Sequence, residues 1–368
     1  MANGTMVVDG GPHPGVAEVV SPVLSVSGGA RFDWLMAGFG SWLIGGLYLD
    51  GWAHVHVPAL ETFFTPWHAV LYSGYIAGAV ALAVTLRLNR RRGASRWDAL
   101  PTGYGLSLAG AFIFFVGGLA DMLWHVAFGI EEGVEGLISP SHLVLALGGS
   151  LMITGPLRAG LAHPAGADRP WLARMPTVVS LTLFLSLLTF FTGYASPYGT
   201  MWAAMTPKTG SGAYLSAGFS GFVIQSALLM GLVLFVLRRQ PLPAGGFTAL
   251  LSVNVALMAL MHDKFLATGP YPLIAGAVLA GLIGDGLLAW LRPAPDRVLA
   301  LRAVAFAIPA VQYLFYFLAI MIWARVTWSV HLWTGAIVIA GAVGWLLSFL
   351  VLSPDDAPAR LTERGARA

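Results

Sequence analysis

Eight ionisable residues in this chain fall into two matching sets, Asp50, His54, Glu61 and His68, then Asp121, His125, Glu135 and His142. Each set reads Asp, three residues, His, a short loop, Glu, three residues, Ser or Thr, Pro, any residue, His. The first copy is Asp50-Gly-Trp-Ala-His54 with Glu61-Thr-Phe-Phe-Thr-Pro-Trp-His68, and the second is Asp121-Met-Leu-Trp-His125 with Glu135-Gly-Leu-Ile-Ser-Pro-Ser-His142. Asp and the first His recur at an offset of 71 residues and Glu and the second His at 74, so one three-residue insertion in the second loop reconciles the copies. Carboxylates and imidazoles together suit a divalent first-row metal ion; copper and iron are favoured and zinc is admitted. The chain has no cysteine, so thiolate ligands are excluded.

The elements must bring these residues together. Asp and His at i and i+4 share one helix face. Thr65 and Ser139 suit an N-cap and Pro66 and Pro140 the first helical position, which puts His68 and His142 in the first turn of the next helix. The partial positive charge there favours a neutral, ligand-competent ring. Glu61 and Glu135 would come from the loops. No Lys or Arg lies between Arg31 and Arg87 or between Arg96 and Arg158, so the carboxylates have no basic partner nearby in sequence. At membrane depth such a group must be paired, protonated or metal-bound. The plainer alternative is a set of Asp–His and Glu–His hydrogen bonds that pin hairpins together.

Secondary candidates surround this core. His56 follows His54 but should point elsewhere on a fraying helix end. His262, Asp263 and Lys264 could form a second shell or proton route, with a local ion pair as the alternative. Trp52, Trp67, Trp124 and Tyr72 are candidate substrate-binding aromatics that would equally suit an interfacial belt.

The chain is 57% hydrophobic and 10% charged over 368 residues, against roughly 25% charged in a soluble domain. This composition predicts an all-α, polytopic integral membrane protein. Ten transmembrane helices are expected, at 34–53, 66–87, 103–126, 140–161, 176–195, 213–237, 246–265, 270–291, 300–324 and 330–352. They would form repeated helical hairpins. Residues 33–162 carry the duplicated motif, and residues 163–353 supply further hairpins packed around it. Later hairpins keep only a turn, Ser196-Pro-Tyr-Gly199 or Gly269-Pro-Tyr-Pro272, and His331 is a looser match. Residues 1–32 read as a mobile cytoplasmic arm and 354–368 as a cytoplasmic tail. Arginines cluster after the even-numbered spans, at 87–96, 158–174, 238–239 and 292–302, which predicts a cytoplasmic-membrane protein with both termini inside and the motif loops outside.

Asp-x3-His followed by a second His resembles the copper-binding motif in the third subunit of the particulate methane and ammonia monooxygenases, with Asp50, His54 and His68 at the matching points. The likeness covers residues 50–68; the duplication, the interposed Glu and the number of helices are this chain's own. It implies copper and oxygen chemistry. The leading expectation is thus a membrane metalloenzyme, an oxidoreductase of hydroxylase or monooxygenase type, acting on a lipid or small apolar substrate. A zinc hydrolase would use the same ligands. A divalent-cation or proton-coupled transporter is the alternative, but it needs polar relays through the membrane, and Gln225, Asp285 and Gln312 are scattered. A metal-binding accessory subunit is the third reading, and an oxidase would in addition require an electron donor. No GxxxxGK[ST] motif is present, and nothing in the composition points to nucleic acid.

Overall fold

The computed structural model describes residues 29–57, 63–95, 99–129, 133–163, 166–201, 203–204, 212–261 and 271–351. Among them every regular element is helical. They are α1 Ala30–His56, α2 Pro66–Arg91, α3 Gly105–Phe128, α4 Gly133–Ile138, α5 Pro140–Ile153, α6 Gly155–Ala162, α7 Trp171–Phe191, α8 Pro197–Thr200, α9 Gly212–Leu237, α10 Gly246–Leu260, α11 Tyr271–Leu291, α12 Val298–Trp323 and α13 Val330–Val351. Eight segments are long and apolar enough to cross a membrane, α5 and α6 counting together as Pro140–Ala162. This is the architecture of a helical membrane protein. The two expected spans outside the eight are α1, whose glycines, tryptophans and Asp50 dilute its apolar character, and α10, which has 15 residues in its described part.

Glycines set how closely the first helices pack. A Cβ on Gly46 would lie 2.6 Å from the Cα of Leu71, and one on Gly74 would lie 2.7 Å from the Leu43 nitrogen. In the α3–α5 pair the same constraint falls on Gly117, 3.1 Å from the Leu145 nitrogen, and Gly148, 2.5 Å from the Phe114 nitrogen. Any side chain at Gly46, Gly74 or Gly148 would push two backbones apart.

Two boundaries differ from the sequence expectation. The fifth expected span begins at Trp171 rather than at Pro176, so Pro176 stands inside the helix, where it has no N–H for the Leu172 carbonyl. The fourth is interrupted at Thr154, since Pro156 has no N–H for the Met152 carbonyl. Neighbours repair the break: Ser107 Oγ donates to the Met152 carbonyl at 3.1 Å, while Ser180 Oγ donates to Ile153 O at 2.6 Å and accepts from Leu157 N at 3.2 Å. Backbone groups freed in an apolar setting need such replacements.

Of the later helices, α7 packs against α1, α5 and α6. Helix α1 lies against α7, where Tyr48 donates to the Ser186 carbonyl at 2.8 Å. Asp285 of α11, isolated in sequence, caps α10 by accepting from Thr248 N at 2.9 Å and Phe247 N at 3.2 Å.

Candidate metal centre

Helix α1 continues through Asp50 and His54 to His56, which holds the i,i+4 pair on one face with His54 Nε2 3.8 Å from Asp50 Oδ2. Thr65 caps α2 by accepting from the His68 nitrogen at 3.1 Å. That cap also orients the ring, because Thr65 Oγ1 lies 3.0 Å from His68 Nδ1, and the same nitrogen is 3.6 Å from Asp50 Oδ1.

The second motif is built alike but finished differently. His125 Nε2 lies 3.6 Å and His142 Nε2 3.1 Å from Asp121 Oδ1. His125 Nδ1 donates to the Gly129 carbonyl at 3.2 Å, which orients the ring with Nε2 toward Asp121. His142 Nδ1 pairs with Ser139 Oγ at 2.8 Å, and Ser141 Oγ donates to Asp121 Oδ1 at 2.8 Å.

Each trio, Asp50–His54–His68 and Asp121–His125–His142, offers one ligand atom per residue, all within 4.8 Å of one another. Two atoms each about 2.1 Å from one ion stand at most about 4.2 Å apart. The carboxylate–imidazole distances of 3.1–3.8 Å fall within that limit.

Both trios line one cavity of about 770 Å³. Its other wall is apolar, from Leu43, Leu47, Leu71, Phe114, Leu187 and Phe190, and no Lys or Arg contributes among the described residues. Phe63 stands between the trios, stacked on His68 at 4.9 Å and 6.0 Å from the His125 ring. Sequence reading missed Phe63 and Ser141, both lying inside the repeated phrases at positions where the two copies disagree.

The other expected residues are placed as follows. Glu135 is exposed on α4 and stands outside the second trio; α4 turns Gly133, Val134, Gly136 and Leu137 to the cavity and Glu135 away. Glu61, His262, Asp263 and Lys264 lie outside the described residues. His56 reaches the cavity wall but is stacked on Trp52 at 4.7 Å, with its Nδ1 bonded to the Trp52 carbonyl at 2.9 Å. Tyr72 lines the cavity, whereas Trp52, Trp67 and Trp124 do not. Trp52 packs on Trp67 at 6.2 Å and Trp124 on Phe128 at 4.6 Å.

Compared with models of protein families, with curated proteins and with solved structures, the chain matches none.

Proposed function

We propose that this chain is an integral membrane metalloenzyme, an oxidoreductase that acts on a lipid or other small apolar substrate. The observation that carries the reading is the placing of two Asp–His–His trios on the wall of one otherwise apolar cavity. Two imidazoles and one carboxylate leave coordination positions open, the arrangement used by metals that activate oxygen. Bound copper or iron would supply the redox chemistry. The residues of the chain hold the ion, exclude water with Leu, Phe and Tyr side chains, and orient an apolar molecule beside it.

The two motif-bearing hairpins are on this reading copies of one unit. Support comes from packing as well as sequence: Gly46–Leu71 and Gly117–Leu145 are close approaches related by the offsets of 71 and 74 residues, and so are Leu43–Gly74 and Phe114–Gly148. The distribution of arginines supports cytoplasmic termini and a site opening outward. The core beneath the cavity, with Met36, Met152, Ile153 and Leu183 buried, favours a one-sided site over a transport path.

The test is elemental analysis of detergent-purified, chelator-washed protein beside the double variant His68→Ala/His142→Ala. Copper or iron bound by the wild type and lost from the variant supports the reading, and zinc in its place would turn it to hydrolysis. Absence of metal after repletion would leave a hydrogen-bonded structural network.

A further inference from the structure

The two trios differ in how their carboxylates are served. Asp121 is 1% exposed and receives the Ser141 hydroxyl, and both of its histidines have Nδ1 held by a neighbour. In the first copy Trp67 occupies the position of Ser141, and Asp50 Oδ1, although buried, has no hydrogen-bond partner among the described residues. A second buried oxygen is in the same condition. The Tyr72 hydroxyl lines the cavity without a partner among the described residues, its ring 6.3 Å from that of His68. Gly118 makes room for it: a Cβ there would lie 3.2 Å from the Tyr72 oxygen.

Resting on the metalloenzyme reading, we propose that the Asp50–His54–His68 trio is the open site, where an exchangeable ion takes an oxygen of the cavity's occupant and Tyr72 donates a hydrogen bond to that oxygen, whereas the Asp121 trio retains its ion. A buried acceptor and a buried donor left unmatched on one cavity wall each cost free energy, and a ligand that satisfies them recovers it. Held side chains around Asp121 raise affinity there, since outer partners of metal ligands contribute about 10–100-fold. The occupant has a definable shape. Leu43 precedes Asp50 by seven residues and Gly149 follows His142 by seven, so the apolar wall runs about 10 Å deeper than the ligands. The fitting chemistry is an amphiphile with an alcohol or carboxylate end and a short hydrocarbon body.

The experiment uses full-length protein in nanodiscs with cobalt(II) as an optical probe, EDTA as the competitor, and acetate and octanoate as ligands. We expect two cobalt ions per chain, one leaving at least about tenfold faster. His68→Ala should remove the fast ion and Ser141→Ala should hasten the slow one. Octanoate should perturb the spectrum of the fast ion at lower concentration than acetate does. Tyr72→Phe should keep both ions and bind octanoate at least about tenfold more weakly. Equal exchange rates, a fast ion that belongs to the Asp121 trio, or unchanged octanoate binding by Tyr72→Phe would overturn the inequality while leaving the metal reading intact. Failure to bind cobalt would overturn both.

Discussion

The hairpin of α1 and α2 and the hairpin of α3 and α5 present the same three ligand types at the same helix positions, yet their surroundings differ by a few side chains. In one, a serine after the proline serves the carboxylate; in the other, a tryptophan at that place packs on Trp52, and Asp50 Oδ1 has no donor among the described residues. The lesson is that a duplicated ligand set need not give duplicated chemistry. Helix geometry sets which residues converge, while the residues between them set how firmly an ion is held.

The largest expected effect separates ligand from support. Asp121→Ala strips the partner from two histidines and Ser141 at once, so it should abolish one metal equivalent and lower stability by about 1–3 kcal/mol. Elemental analysis and thermal unfolding in detergent would read both, and retention of full metal would break the comparison at its base. Packing comes next. Gly46→Ala forces a methyl to 2.6 Å from backbone, whereas Gly117→Ala reaches only 3.1 Å, so the first should cost about 1–3 kcal/mol and clearly more than the second. Equal melting temperatures would show that the two hairpins yield alike.

A transplant sharpens the contrast further. Trp67→Ser offers Asp50 the hydroxyl that Asp121 has, and release of the first ion to EDTA should slow by about tenfold. If release is unchanged, the residue before His68 is not what distinguishes the sites. The smallest effect is expected at Glu135→Gln. Its carboxylate is exposed and apart from the trio, so metal content should match wild type by elemental analysis.

Much of this site was legible in the sequence because it depends on local rules. Asp-x3-His needs only a helix that continues past the pair, and Ser/Thr-Pro-x-His needs only a helix that starts at the proline, and α1, α2, α3 and α5 supply both, although only Thr65 and not Ser139 caps with its side chain. The glutamate was less readable, since a loop fixes no side-chain direction, and α4 turns Glu135 outward. The tryptophans were assigned to the cavity by residue type, which does not fix where an indole packs, and of the four aromatics only Tyr72 lines it. The role of Ser141 was hidden because its partner Asp121 is 20 residues away and the aligned residue in the first copy is not a donor. The break at Thr154 was likewise signalled by Gly155-Pro156, but its repair depends on Ser107 and Ser180 from other helices.

Asp285 carries a consequence for biogenesis. Helix α10 leaves the ribosome before the residue that caps it, and its described 15 residues are short for a bilayer of about 30 Å. Its first amides have their acceptor only once α11 has been made and folded back. The two segments are therefore expected to enter the membrane as a pair, the later helix completing the earlier one.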